Sequence, residues 1–270
     1  MHNNPRLSSM PDATPDHIAR AFDLRHGFTT FTQRCGGARV SSMIDHGHDL
    51  ASVRNATDRL LTAAAKLDNA SVAEPSRLPG WSRGHVLAHL ARNADALVNV
   101  LEGRPMYPSG KARDADIERD APRPLDVQLT DLRDSAARFQ ETGAVPADWS
   151  RTVELRNGVT DSASQVPFRR WAEVELHHVD LGIGYELEDL PAEFSQREID
   201  FLAARFSGHP DVPPTQLTDG TRAWRTGREA TEPEVTVSGP APELLGWLAG
   251  RRDGSGLTVQ GGPLPALPPL

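Results

Sequence analysis

The sequence predicts an α+β protein in which a bundle of four helices is followed by a small α/β domain. Three segments in the first two thirds of the chain repeat apolar residues at intervals of three and four, the period of an amphipathic helix. A fourth helix-forming segment carries a dense group of acidic residues and histidines. The last part of the chain instead contains short runs of β-branched residues separated by turn-forming residues.

The composition limits the classes of protein that the chain can belong to. Its 270 residues, 38% of them hydrophobic, are enough to bury a core. A net charge of −8 argues against a nucleic-acid-binding surface, which needs a basic stripe to neutralise phosphates. No apolar run approaches the roughly 20 residues that span a bilayer, and no secretory signal is visible. We therefore expect a soluble, cytoplasmic protein without membrane partners, and a monomer.

The chain contains a single cysteine, Cys35. An internal disulfide and a cysteine-based zinc site are therefore excluded. Any metal ion must be held by histidine and carboxylate side chains.

Composition also predicts three regions. Residues 1–42 are polar and interrupted by Pro and Gly, so we expect a flexible N-terminal extension. Residues 43–207 contain the helical segments of the bundle, and residues 208–270 contain the small α/β domain.

The first helix is predicted from Asp45 to about Leu67, and the second follows Ser82, a suitable N-cap, and ends near Gly103. The segment "RPMYPSGKARDADIERDAPRP" is too polar and Pro-rich to be expected in the core. A third helix is predicted over residues 125–143. The fourth has Pro167 in its first turn and runs to about residue 182.

Shorter elements fill the remainder of the chain. An Asn-Gly turn interrupts "RTVELRNGVT", and a helix is predicted around residues 193–206. The segment "SGHPDVPPTQLTDGT" is interpreted as a linker. Strands are expected in "TRAW", "EVTVSG" and "LTVQGG", with the helix "APELLGWLAG" between the last two and an extended closing segment.

The fourth helix contains the stretch "WAEVELHHVDLG", in which Glu173 and His177 are four residues apart and share a helix face. His85 and His89 repeat that spacing on the second helix. Two helices of a bundle can join such side chains in a metal site, for which zinc is the leading ion and nickel, manganese and iron are alternatives. Spacing alone leaves open His85 against His89, Glu175 against Glu173 and His178 against His177, and also leaves open histidines with no ligand role.

Longer motifs resemble a known family. The segments "LPGWSRGHVLAHLARNADALVNVLEG", "MYPS", "RDADIE" and "RRWAEVELHHVDLGIGY" resemble the mycothiol-dependent maleylpyruvate isomerases, a family with a DinB-like up-down four-helix bundle and a small C-terminal domain. The resemblance extends from about residue 43 to the C-terminus. It implies that His89, Glu173 and His177 hold zinc, which leaves His85 and His178 outside the ligand set.

Four further residues are candidates near this site, one of them as a catalytic residue. Asp180 lies three residues after His177 and could orient its ring, or could cap the helix end. Arg92 follows His89 and could face the cavity mouth, although a surface position is the simpler interpretation. The segment "LLGWLAGRRDG" resembles the place where the family has an arginine that reaches toward the metal. This predicts Arg251 as a catalytic residue, with Arg252 as the alternative. The competing interpretation is that the two arginines only complement the helix dipole at the C-terminus of the helix.

The resemblance implies cis–trans isomerisation of maleylpyruvate to fumarylpyruvate, a step of gentisate degradation. In this reaction the thiolate of mycothiol, the co-substrate, adds to the alkene of the diacid, the adduct rotates and the thiolate leaves. Zinc would stabilise the thiolate, and Arg251 would hold a substrate carboxylate. The alternatives are another mycothiol-dependent enzyme, such as an S-transferase acting on an electrophile, and a non-catalytic metal-binding DinB-like protein.

Overall fold

The structure is a computed structural model that describes residues 45–145 and 147–269. The expectations for residues 1–42 and for Cys35 lie outside the described residues. The helices are α1 (His46–Ala64), α2 (Asn69–Ala73), α3 (Arg83–Leu101), α4 (Gly110–Asp120), α5 (Leu125–Ala144), α6 (Val166–Asp180), α7 (Ala192–Phe206) and α8 (Ala241–Leu248). The strands are β1 (Thr152–Glu154), β2 (Thr160–Ser162), β3 (Thr215–Thr218), β4 (Ala223–Thr226), β5 (Val235–Ser238) and β6 (Thr258–Gln260).

Four long helices form the bundle that the amphipathic pattern predicts. Helices α1 and α3 each pack on α5 and on α6, which closes a four-helix arrangement around one apolar core. The buried side chains recur along each helix at the spacing of one face, as in Val53, Ala56 and Leu60 of α1. The bundle, together with the C-terminal sheet, confirms the predicted α+β class.

Local sequence signals fix where the two site-bearing helices begin. Ser82 caps α3 by accepting a hydrogen bond from the backbone of His85, and the His85 ring accepts one in return from the backbone of Ser82. Gly103, just after α3, has a φ of 78°, a conformation that favours glycine. Pro167 lies in the first turn of α6, where its missing N–H costs no hydrogen bond. These three signals were correctly interpreted from the sequence.

The prediction that residues 104–124 contribute no core element is wrong, because this segment contains α4. The helix is capped by Ser109 and packs against α3. Only Ile117 gives it a buried apolar side chain, while Arg113 and Asp120 are also buried. A helix anchored by one apolar residue and by buried ion pairs has no apolar stripe, so periodicity could not reveal it.

The predicted linker over residues 207–221 also contains regular structure, because β3 lies within it. Its side chains alternate between buried and partly exposed, as in a strand that covers a core on one face. Pro213 and Pro214 directly precede the strand and masked this signal. The short helix α2 was likewise missed.

The C-terminal sheet has the strand order β4-β3-β5-β6. Strands β3 and β5 run parallel, and the two outer pairings are antiparallel. Helix α8 connects β5 to β6, as predicted, and α7 packs on both α8 and β4. No described helix is both long and apolar enough to cross a membrane.

A small hairpin lies between the bundle helices α5 and α6. Strands β1 and β2 are antiparallel, and Asn157 and Gly158 adopt φ values of 60° and 74° at the turn. The predicted Asn-Gly turn is therefore confirmed. The hairpin region also supplies two residues, Leu155 and Arg156, to the wall of the cavity described below.

Candidate metal centre

Three side chains from two bundle helices meet inside the protein. His89 of α3 and Glu173 and His177 of α6 offer ligand atoms that all lie within 4.8 Å of one another. The His89 Nε2 and His177 Nε2 atoms are 3.0 Å and 3.2 Å from the Glu173 Oε2 atom. Both imidazoles are buried, and Glu173 is partly buried. The structure thus brings together the three residues singled out by the resemblance.

The His177 ring is held from behind by a buried carboxylate. The Asp180 Oδ2 atom lies 2.9 Å from the His177 Nδ1 atom, which leaves the Nε2 edge directed at Glu173. Arg251 donates to the same carboxylate, from Nη2 at 2.8 Å and from Nε at 3.2 Å. The C-terminal domain therefore contacts the centre through a chain of three side chains. This arrangement is the one that usually orients a metal-ligating histidine.

Burial alone would raise the pKa of the Asp180 carboxyl. Its partners Arg251 and His177 outweigh this effect and hold the pKa of Asp180 well below its usual range. Burial also favours neutral Glu173, but hydrogen bonds with the two histidines lower the pKa of its carboxyl well below its usual range. Both carboxylates are therefore ionised at neutral pH.

His89 is held differently. Burial lowers the pKa of His89 to about 3, with Glu173 acting against the effect, so the ring is neutral at neutral pH. The Arg113 Nη2 atom lies 3.2 Å from the His89 Nδ1 atom, and Trp81 packs near the ring at 5.5 Å between centroids. For His177, burial lowers the pKa, but hydrogen bonds to Asp180 and Glu173 outweigh burial and raise it.

The donor set fits a divalent cation. Metal ligands must be a neutral imidazole or an ionised carboxylate, and the centre supplies two imidazoles and one carboxylate with a short separation between donors. Three protein ligands of this kind are the set found in catalytic zinc sites, in which a further position is open to substrate. Other transition metals accept the same donors, so the donor types alone do not select zinc.

A cavity of about 90 Å³ adjoins the centre. His89 and Glu173 form part of its wall, so the centre is accessible from this side. The rest of the wall combines apolar side chains with several charged ones. The apolar group includes Leu97, Met106, Phe168 and Phe201, and the charged group comprises Arg113, Arg156, Arg169 and Glu198.

The remaining histidines and glutamates of the two motifs point elsewhere. His85 belongs to the N-terminal cap of α3 and lies 3.4 Å from Glu118. His178 stacks on Tyr185 with the ring centroids 4.0 Å apart. Glu175 is buried and accepts hydrogen bonds from Arg59, from the Trp171 indole at 2.9 Å and from the Tyr185 hydroxyl at 2.8 Å. None of the three belongs to the cluster of possible ligands among the described residues.

Two of the weaker candidates do not reach the centre. Arg92 pairs with Asp120 at 3.1 Å and with Asp131 at 2.6 Å, and so joins α3 to α4 and α5 instead of facing the cavity. Arg252 pairs with Glu188 and Glu243 near the surface. In both cases a nearby carboxylate determines where the guanidinium lies.

Arg251 approaches the centre through a contact with Asp180 that the sequence did not predict. Its guanidinium binds Asp180 and the carbonyl of Ala249, and it is not part of the cavity wall. The buried Asp180 carboxylate requires a counter-charge, and Arg251 supplies it. This geometry supports a positioning role for Arg251 through Asp180 and His177, and its contact with a substrate carboxylate stays a prediction.

Sequence reasoning missed Arg113, Arg156, Arg169 and Glu198. The first lies in the segment that was excluded from the core, and the two other arginines are unremarkable in sequence. Glu198 carried a usable signal, because it lies four residues from both Phe194 and Leu202 in the apolar stripe of α7. A carboxylate inside such a stripe is buried when the helix packs.

The fold and the centre together define a class: an α+β protein whose helical bundle carries a candidate His-Glu-His metal site beside a cavity. Two family models match the chain. Residues 53–182 match the mycothiol maleylpyruvate isomerase N-terminal domain, and residues 189–269 match the C-terminal domain of the same family, abbreviated MDMPI. The chain belongs to the mycothiol-dependent maleylpyruvate isomerase family, as the resemblance predicted.

Solved structures agree with this membership. The crystal structures of a mycothiol-dependent maleylpyruvate isomerase and of a histidine-to-alanine mutant each superpose with a TM-score of 0.74 at 28% sequence identity. Each alignment covers 82% of this chain and 95% of the crystallised one. No curated protein matches the chain by sequence.

Proposed function

We propose that this protein catalyses the zinc- and mycothiol-dependent cis–trans isomerisation of maleylpyruvate to fumarylpyruvate, a step of gentisate degradation. The observation that carries the proposal is the His89, Glu173 and His177 cluster at the wall of a cavity, in a chain that belongs to this isomerase family. The substrate is thus a diacid with a conjugated alkene, and the thiol is a co-substrate.

The three clustered residues would hold the cation. Zinc bound there supplies a Lewis acid that lowers the pKa of a bound thiol and so favours its thiolate form. Asp180 fixes the orientation of His177, and Arg251 keeps Asp180 ionised. We assign the nucleophilic thiol to mycothiol because the chain matches the mycothiol maleylpyruvate isomerase N-terminal domain.

The reaction needs no net change in atoms or electrons. The thiolate sulfur forms a bond to one alkene carbon, and the electron pair of the double bond moves to the conjugated carbonyl oxygen. The carbon–carbon bond is then single and rotates. The electron pair returns, the carbon–sulfur bond breaks, and the thiolate and the trans diacid remain. Apolar residues such as Phe168 and Phe201 keep water from this adduct, and the arginines of the wall suit its carboxylates.

The proposal is tested by following maleylpyruvate absorbance with purified protein of known metal content, with and without mycothiol. We expect conversion to fumarylpyruvate only when both metal and mycothiol are present, with mycothiol recovered unchanged. A stable S-conjugate would instead indicate a transferase. Full metal occupancy without any thiol-dependent reaction would contradict an enzymatic role and favour the metal-binding alternative.

A further inference from the structure

Helix α7 places an acidic side chain in the cavity wall that the steps above do not use. Glu198 is only 3% exposed, although it lines the cavity together with His89 and Glu173. Its Oε2 atom has no hydrogen-bond partner among the described residues. Leaving a buried carboxyl oxygen without a partner costs stability, and such exceptions often mark a functional group.

The groups around Glu198 set its charge state. Burial raises the pKa of the Glu198 carboxyl to about 7, with the nearby Glu173 acting in the same direction. Arg251 and Arg169 oppose this effect without cancelling it. Glu198 therefore changes between its ionised and neutral forms near neutral pH, whereas Glu173 stays ionised.

We infer that Glu198 is the proton acceptor for the thiol co-substrate of the proposed reaction. The inference rests on the proposed function. When the thiol enters, the S–H bond breaks, its electron pair stays on sulfur, and the proton passes to a Glu198 carboxylate oxygen. The resulting thiolate then performs the addition. When the thiol leaves, Glu198 returns the same proton to sulfur, so each cycle of binding and release is balanced.

The other groups in the described cavity wall are poor acceptors. His89 and Glu173 are committed as proposed metal ligands, and the arginines are permanently charged donors. Burial raises the pKa of Tyr107 to about 12, so its phenol stays protonated. Glu198 thus combines an oxygen atom without a hydrogen-bond partner among the described residues, a position in the same cavity and a carboxyl that is partly ionised at neutral pH.

The test counts protons released when mycothiol binds to the full chain loaded with cobalt, without any diacid present. Cobalt gives a thiolate-to-metal absorption band that reports sulfur binding independently of turnover. At about pH 8 Glu198 is mostly ionised before the thiol binds. The bound thiolate then places a second negative charge in the cavity and raises the pKa of Glu198, so wild-type protein should retain the thiol proton and release almost none. Glu198→Gln should release about one proton per bound thiol. Glu188→Gln, which changes an exposed glutamate paired with Arg252, should behave as wild type.

The pH dependence of the wild-type protein gives a second readout that needs no variant. Proton release should fall from about one per thiol near pH 6, where Glu198 is already protonated, to almost none near pH 8. Two results would overturn the role of Glu198 and leave the proposed function standing. The first is an absorption band whose accompanying proton release does not change with pH, and the second is equal proton release by wild type and Glu198→Gln. Absence of the band in wild type would overturn the proposed function, and this inference with it.

Discussion

At the scale of single residues, the candidate centre depends on Asp180 as much as on the three clustered side chains. Asp180 is fully buried between the His177 ring and the Arg251 guanidinium. It therefore links the imidazole of one domain to a cation of the other. A side chain that only caps a helix end would not need a buried counter-charge.

We expect Asp180→Asn to lower metal affinity by about 10–100-fold, the usual effect of losing the partner of a metal-ligating histidine. The amide keeps the shape but cannot stabilise the proton on His177 Nδ1 with a full charge. Competition with a chromophoric chelator measures the change. Asp95→Asn, which removes a carboxylate paired with Arg138 on the exposed side of α3, should keep the wild-type affinity. Equal affinities for both variants would contradict the link.

Each of three single variants, His89→Ala, Glu173→Ala and His177→Ala, should lose stoichiometric metal binding and thiol-dependent activity. Each change removes one of three donors, and the two that remain are too few to hold a zinc ion tightly. Metal analysis after dialysis measures the loss. His85→Ala is the matched control on the same helix: it should lose about 1 kcal/mol of stability through the N-terminal cap but retain its metal. The reverse pattern would show that the ligand assigned on α3 is wrong.

Glu198→Gln should stabilise the metal-free protein at high pH but not at low pH. Because the folded pKa of about 7 lies above the value of about 4.5 expected on unfolding, wild type loses stability as pH rises through this window. The raised pKa corresponds to about 3 kcal/mol of unfolding free energy that wild type loses as Glu198 ionises. The uncharged glutamine variant does not lose this free energy. Urea unfolding at about pH 4 and about pH 8 measures the difference. A variant that gains nothing at the higher pH would show that Glu198 is solvated or paired in solution.

At the scale of secondary-structure elements, α4 is the helix that completes the cavity and that periodicity did not reveal. It contributes Arg113 to the wall and lies against α3 where Gly84 removes the side chain between them. A Cβ atom at Gly84 would lie 2.2 Å from the carbonyl oxygen of Ala121, just after α4. The close approach of α4 to α3 therefore requires glycine at this position.

Gly84→Ala should destabilise the protein by about 1–3 kcal/mol, because the clash is with backbone and α4 must shift to relieve it. Chemical denaturation gives the free energy of unfolding. Gly110→Ala provides the comparison: it lies at the start of α4 with nothing within 4 Å of its Cβ position, so its stability should be unchanged or slightly raised. If Gly84→Ala were as stable as Gly110→Ala, the close contact between α3 and α4 would not exist.

At the scale of the whole molecule, the candidate site needs both parts of the chain that match the family. The bundle supplies the three clustered side chains, and the C-terminal part supplies Arg251, which reaches Asp180. All of these residues, and the cavity, lie within residues 45–269. The predicted boundary between the N-terminal extension and the bundle, at residue 43, rests on the composition of residues 1–42.

Removal of residues 1–42 should leave metal content and thiol-dependent activity within about twofold of the full chain, because the shortened chain retains the described centre and cavity wall. The two proteins are compared at equal metal occupancy by initial rates and by thermal unfolding. A shortened chain that folds with its metal but is inactive would contradict the predicted extension and would assign residues 1–42 a part in catalysis.

Much of the fold follows from local patterns. The starts of α3 and α6, the Asn-Gly hairpin and α7 were predictable because each rests on capping, turn or periodicity signals within a few residues. Helix α4 and strand β3 were not, because buried ion pairs hold the first and two prolines precede the second. The spacing of Glu173 and His177 predicted a shared face, and resemblance was needed to choose His89 over His85.

The sequence by itself determined the helical periods, the single cysteine and the helix face that carries Glu173 and His177. Only the tertiary structure decided which distant groups meet that face. It pairs Arg251 with Asp180, pairs Arg92 and Arg252 with carboxylates away from the centre, and places Glu198 in the cavity wall. The physical reason is that helix faces follow from spacing along one segment, whereas the partner of a charge depends on which desolvated groups packing brings within reach.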